Sequence, residues 1–301
     1  MTNQLKSLIT FICDENWEKV KQIAEHILVS DKTAKDKEFC EQMLTYIQKS
    51  KDRIEVPANC QSLVSVTDEP KISPRYSIGE REQDIFDIVH KMCGVAELLN
   101  QKQIRYNNSI LLHGKPGTGK TTFANYIAAQ LKLPMIYLNL SYILDSYLGK
   151  SAQNIERVFR FVNEHHCVFM LDELDAIGAQ RGAHNDLGEM NRVTISLMQN
   201  IDALKSNVIL IAATNRIDII DTALLRRFII KHEVLPPDVQ EKKSIIHRFC
   251  ENVDLDEDAN EVQKLIETCD TQAQLESSLI QILADKLLKE SNLVKRGEEN
   301  V

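Results

Sequence analysis

One run of residues, Gly114-Lys115-Pro116-Gly117-Thr118-Gly119-Lys120-Thr121, constrains this chain more than any other. It fits G-x-x-x-x-G-K-[ST] in full. It follows an apolar run (Ser109 to His113) and opens an amphipathic stretch from Thr121 to Leu131, which is the strand–loop–helix setting the motif requires. Glycines let successive backbone N–H groups turn inward and approach an anion with no side chain in the way. The following helix N-terminus adds partial positive charge. In such a cradle Lys120 is expected to meet the β- and γ-phosphates of a nucleotide, and the Thr121 hydroxyl to ligate magnesium. Thr122 is expected to complete the cofactor-binding set.

A second element belongs with the first. Cys167-Val168-Phe169-Met170-Leu171 is an apolar strand that ends in adjacent carboxylates, Asp172 and Glu173. A pair of acids at a strand end is a weak signal alone, because such pairs often only solvate the end of the strand. About 50 residues beyond the cradle lysine, the same pair gains meaning. In a parallel sheet the ligand crevice lies at the carboxyl ends of the strands. Asp172 is expected to hold magnesium through its water shell, and Glu173 to orient and polarise an attacking water.

Around these motifs, short apolar runs alternate with amphipathic stretches. Strands are expected over 110–112, 135–138, 168–171, 208–212 and 229–234, with helices between them. That alternation predicts an α/β fold in which a parallel sheet is covered by helices on both faces. After Pro236-Pro237 the chain reads as wholly helical, giving a small all-α lid over 237–295 and a charged tail over 296–301. Before the sheet, Pro57, Pro70 and Pro74 mark 51–73 as a linker, or an irregular arm lying on the next domain. The large phosphate-binding domain is expected over 74–236, with a helical pattern resuming at Glu80. Residues 1–50 carry apolar stripes at helical spacing, including Trp17, Val20, Ile23, Ala24 and Ile27, with Asp14 and Asp31 placed as N-caps. This segment either packs on itself as a small hairpin or bundle, or docks a partner or client.

The 301 residues carry a formal net charge of -8, which argues against a general nucleic-acid binder. The seven cysteines are odd in number and widely spaced, with no Cys-x-x-Cys pair. They suit reduced thiols and offer no zinc site. No apolar run approaches a membrane span or a signal peptide, so a cytoplasmic location without membrane insertion is expected.

Together with the run VILIAATNRIDIIDTALLRRF from Val208 to Phe228, these motifs resemble the AAA ATPases over residues 74–290. The likeness extends to bacterial single-ring members and to the severing and remodelling branch. The resemblance implies ATP and Mg2+ as cofactors and a homo-oligomer, a hexamer by family habit. It also implies that Asn215 is a polar sensor beside the γ-phosphate, and that Arg226 and Arg227 are arginine fingers serving nucleotide on the adjacent subunit. Tyr147-Leu148-Gly149 is similar to the pore loop that grips polypeptide, and the polar segment 177–188 sits where a second pore loop would lie. There are departures. Lys115 stands where proline is frequent, and Ile229 follows Phe228 where an acid is common. The lid carries Thr271-Gln272-Ala273-Gln274-Leu275 where relatives have serine-glycine-alanine-aspartate-leucine. Neither HExxH nor GxSxG is present. The leading expectation is a ring ATPase that unfolds or remodels a protein client. A regulatory ATPase that switches a separate effector is second, and a nucleic-acid-linked loader third.

Overall fold

A computed structural model of the chain describes residues 10–12, 20, 23–24, 26–28, 43, 54–73, 76, 78–104, 106–146, 150–179, 187–253 and 255–298. The chain divides into two compact units, 1–55 and 56–301. In the first, the described residues up to Met43 are all helical, among them Val20, Ile23, Ala24 and Ile27 of the apolar stripe. Asp14, Trp17 and Asp31 lie outside the described residues.

The second unit is built on six strands: β1 (Val64–Thr67), β2 (Asn108–His113), β3 (Met135–Asn139), β4 (Cys167–Asp172), β5 (Val208–Thr214) and β6 (Ile230–Glu233). They lie side by side in the order β1-β3-β4-β5-β2-β6. β2 through β6 run parallel, and β1 alone is antiparallel, with Val64 opposite Leu138 and Thr67 opposite Met135. Every expected strand is present within a residue or two of its expected bounds. The segment read as a linker or arm does more than lie on the domain. Its Val64–Thr67 stretch alternates apolar with polar and closes one edge of the sheet.

Helices cover both faces, so the central strands are buried on both sides and read as continuous apolar runs. They are α1 (Glu80–Gln101), α2 (Lys120–Leu131), α3 (Leu140–Ser146), α4 (Ser151–Val162), α5 (Ala176–Ala179), α6 (Leu187–Asp202) and α7 (Thr222–Leu225). One core joins Val89 of α1, Phe123 and Ile127 of α2, Ile110 and Leu112 of β2, Met170 of β4 and Ile211 of β5. On α4, Ile155, Val158, Phe159 and Val162 recur at helical spacing and are buried. Phe159 meets Phe169 edge to face, with centroids 5.1 Å apart.

A separate core belongs to the helical lid: α8 (Val239–Val253), α9 (Asn260–Gln263), α10 (Leu265–Thr268) and α11 (Gln272–Glu298). Ile245, Ile246, Phe249, Val262, Leu275 and Leu279 pack together there. α8 opens with a reciprocal cap that fixes its start directly after the two prolines. Glu241 N–H donates to Asp238 Oδ1 at 2.8 Å, and Asp238 N–H donates to Glu241 Oε2 at 2.9 Å. α11 runs to Glu298, past the start expected for the charged tail.

Because the strands are parallel, β2, β4 and β5 all end on the same side. Their register places His113 beside Thr214 and Leu171 beside Ala212. The loops that begin at Gly114, Glu173 and Asn215 therefore gather at one edge of the sheet.

Candidate active site

The loop after β2 has the backbone its sequence demands. Gly114 takes φ 145 and Gly119 φ 95, both positive values that residues with side chains rarely adopt. A Cβ on Gly114 would drive into the Val234 carbonyl oxygen at the end of β6, and Val234 N–H itself donates to His113 O at 2.7 Å. The loop then wraps its own lysine. Lys120 Nζ donates to the carbonyls of Gly114 and Lys115, each at 2.9 Å, and the Thr118 hydroxyl donates to Lys115 O at 3.0 Å. An ammonium has three protons, so one donor remains for an anion in the cradle. Lys120 is only 8 % exposed. Burial pushes its pKa down, and the carboxylates of Asp172 and Asp175 push back.

At the end of β4, Asp172 is held at both oxygens. Its Oδ2 accepts from Thr121 Oγ1 at 3.2 Å and from the Tyr137 hydroxyl at 3.1 Å. Its Oδ1 accepts from Glu173 N–H at 2.9 Å. Burial and the neighbouring Asp172 carboxylate push the Tyr137 phenol up to about 12. Glu173 takes φ 56, the left-handed region, which aims its side chain off the strand end. Asp175 secures the next strand. Its Oδ1 accepts from Thr214 Oγ1 at 2.8 Å and from Asn215 N–H at 3.1 Å.

These residues meet around a cleft of about 340 Å³. The sheet side supplies Pro116, Gly117, Gly119, Lys120, Thr121, Thr122, Asp172, Glu173 and Asn215. The lid closes the other side with Gln272, Ala273 and Glu276. Contact between the two sides is direct: Ala273 N–H donates to Gly117 O at 3.3 Å. A larger cleft of about 540 Å³ adjoins it, lined by Ile78 and Gly79 before α1, Phe123 of α2, and Pro236, Pro237 and Ile245 of the lid. Gly119 and Gln272 line both. The larger cleft is mixed in character, with Arg81, Glu82 and Glu241 beside its apolar residues.

Arg226 and Arg227 are not in either cleft. They line a separate notch with Asn107, Ser109, Asp202 and Ile229. Arg227 lies on Asp202 Oδ2 at 3.2 Å and donates to Ala223 O, while its own carbonyl accepts from Ser109 Oγ at 2.7 Å. Ser109 sits near the start of β2 and the phosphate loop at its end. At roughly 3.3 Å per residue the two are some 17 Å apart along the strand. Tyr147, Leu148 and Gly149 lie outside the described residues, as does most of the second candidate pore loop.

The profile of the family "ATPase family associated with various cellular activities (AAA)" matches residues 110–235, the stretch that contains the cradle, the acidic strand end and the arginines. Residues 110–235 form an AAA ATPase domain. It is 38% identical over 133 residues to an uncharacterized AAA family ATPase of Sinorhizobium fredii, covering 44% of this chain and 40% of that protein. It is 34% identical over 195 residues to the proteasome-activating nucleotidase of Methanosphaerula palustris, covering 61% of this chain and 47% of that one. It is 36% identical over 169 residues to the ATP-dependent zinc metalloprotease FtsH of Thermotoga maritima, covering 54% of this chain and 28% of that one. The chain thus spans less than half the length of these relatives.

Within this AAA domain, the site presents donors of the kind that ATP and a hard cation would need. Thr121 and Asp172 present a hydroxyl and a carboxylate 3.2 Å apart, hard oxygen groups that would suit an ion that keeps several of its waters. Three features escaped the motif reading. Asp175 continues the acidic run Asp172-Glu173-Leu174-Asp175, and that run was its signal. Tyr137 reaches Asp172 through sheet register. The larger cleft is built from segments far apart in sequence, so no local spacing announces it. Among the described residues no helix is long and apolar enough to cross a membrane, and no group of three His, Cys, Asp or Glu could hold a metal ion.

Proposed function

We propose that this chain is a Mg-ATP-dependent ATPase that works as a ring of identical subunits and remodels a protein client. One observation carries the reading: the catalytic set is split between two surfaces. Lys120, Thr121, Asp172, Glu173 and Asn215 surround one cleft, while Arg226 and Arg227 sit in a notch toward the opposite end of β2. A single copy is therefore incomplete, and a second copy that brings its notch to the first copy's cleft completes it.

In this reading the adenine occupies the larger cleft and the phosphates the smaller one. Lys120 directs its remaining proton to the β- and γ-phosphates. Thr121 and Asp172 would hold magnesium, which would supply positive charge beside the phosphate oxygens. Glu173 takes a proton from water as the water oxygen bonds to the γ-phosphorus. The bond from that phosphorus to the bridging oxygen breaks, and ADP leaves. Asn215 orients the water. The neighbour's arginines stabilise charge on the equatorial oxygens, a task that suits a planar guanidinium. Protein remodelling is supported by relatives named for proteasome activation and proteolysis, and by Tyr147-Leu148-Gly149. A cytoplasmic setting is supported by the described cysteines, all free thiols.

The test is complementation. Lys120→Ala and Arg227→Ala subunits are each expected to be inactive, and mixtures are expected to regain turnover, since some interfaces then carry an intact cleft beside an intact notch. Light scattering on Glu173→Gln with Mg-ATP is expected to show one closed assembly, a hexamer by family habit. Mixed assemblies that form but stay inactive at every ratio would overturn the split-site reading.

A further inference from the structure

Asp172 has more partners than its proposed task explains. Tyr137 lies on β3, two residues before Asn139, which is paired with Asp172 across the parallel ladder. Residues two apart on a strand share a face, so register places the Tyr137 ring diagonally beside the Asp172 carboxylate. Its ring is half-buried against the main core, and its hydroxyl donates to Asp172 Oδ2.

Asn139 itself is engaged elsewhere. Asn139 Oδ1 accepts from Ser141 N–H at 2.9 Å, which turns the amide nitrogen the other way. The Tyr137 hydroxyl has one hydrogen, and the ionised carboxylate beside it can only accept. The single phenolic proton is thereby committed to Asp172.

A carboxylate has about four acceptor positions. On Oδ2, Thr121 and Tyr137 take both. On Oδ1, the Glu173 amide takes one. One position remains, on Oδ1. Meanwhile Thr121, by donating its proton to Oδ2, turns its lone pairs outward as a metal ligand must.

We infer that Tyr137 is a positioning residue for the magnesium site, locking the Asp172 carboxylate so that a single Oδ1 lone pair is presented to a metal-bound water. Without the phenol, Oδ2 has an open position and the carboxylate can turn toward solvent. Outer partners of this kind commonly change metal affinity by about ten-fold or more. The inference rests on the reading of Asp172 as the magnesium carboxylate, and the experiment separates the two.

Mn2+ binding is measured by loss of the free-ion EPR signal in wild type, Tyr137→Phe and Asp172→Asn, each saturated with a non-hydrolysable ATP analogue. Affinity for a fluorescent ATP analogue is measured in parallel in EDTA. Tyr137→Phe keeps the ring and its packing, and is expected to weaken Mn2+ about ten-fold while metal-free nucleotide affinity stays within about two-fold. Mn2+ affinity unchanged in Tyr137→Phe but lost in Asp172→Asn would overturn the role of Tyr137 alone. Unchanged affinity in both would overturn the reading of Asp172 as well. Equal losses with and without metal would reduce Tyr137 to packing.

Discussion

The two walls of the phosphate cleft are built on different terms. The sheet wall hangs from strand ends whose neighbours are almost wholly buried, and much of it is tied down: Lys120 on two carbonyls, Asp172 on two hydroxyls and an amide, and the Asn215 backbone on Asp175. The lid wall is the first turn of one helix, whose Gln272 and Glu276 hold mainly each other, with Gln272 Nε2 donating to Glu276 Oε1 at 3.0 Å. Its core is a small cluster of its own. The difference teaches where precision is invested. In the proposed reaction the groups assigned chemistry are tied to the sheet, and those that would cover the ligand belong to a separately packed helix.

This contrast can be broken by experiment. Glu173→Gln, on the sheet wall, is expected to slow turnover by about 10³-fold while leaving ATP affinity within about three-fold, read by single-turnover phosphate release beside a binding titration. An equal loss of binding would mean that Glu173 supports the wall and not the reaction. Next in size is the lid core. Leu275 is fully buried, and Leu275→Ala is expected to cost about 2–5 kcal/mol. Because the two cores are separate, that loss is expected to appear as an early melting step of the lid with the sheet unit intact. A single cooperative transition would show that the walls are one structure.

A gentler change sharpens the comparison. Gln272→Ala removes the side chain that lies over Gly119 and lines both clefts. It is expected to alter ATP affinity only about three-fold, the worth of one net hydrogen bond, with turnover at saturating ATP unchanged. A loss beyond thirty-fold would place the lid beside the sheet in holding nucleotide.

The smallest expected effect concerns the seam. Glu82 of α1 accepts from His232 Nε2 of β6 at 2.9 Å, both side chains largely buried. Burial alone would raise the Glu82 pKa, but the hydrogen bond and charge of His232 outweigh it and hold it below the ordinary value. A lowered carboxylate pKa stabilises the fold above the unfolded-state value and loses that contribution as pH falls through the lowered one. Glu82→Gln is therefore expected to be less stable than wild type near neutrality and to converge with it in acid. A gap that widens on acidification would reverse the sign assigned here.

The legible parts of this molecule are those whose residues are contiguous. Gly114 to Thr121 act as one turn, so their spacing states their geometry, and Asp172 with Glu173 stand at a strand end that the apolar run announces. The central strands were readable because burial on both faces leaves uninterrupted aliphatic runs. β1 was not, because four alternating residues between prolines carry too little pattern to distinguish an edge strand from an arm. Tyr137 was hidden for a different reason: only the register that sets Asn139 beside Asp172 brings it to the site. The larger cleft depends on segments before α1, within α2, after β6 and at the start of α11 converging, and convergence has no period. The separation of Arg227 from the cradle likewise exists only once β2 has a length and a direction.

Glu173 carries one more consequence. Among described non-glycine residues only Gln103, Lys132 and Glu173 have positive φ. Lys132 caps the end of α2, where that conformation is at home, and Gln103 follows α1. Glu173 caps nothing. An asparagine would sit more comfortably there, so the substitution that best relaxes the backbone also deletes the carboxylate assigned to the water. Selection for durability and selection for turnover thus pull on one residue in opposite directions. A library of this protein screened for heat resistance alone would be enriched in chains that fold well and do nothing.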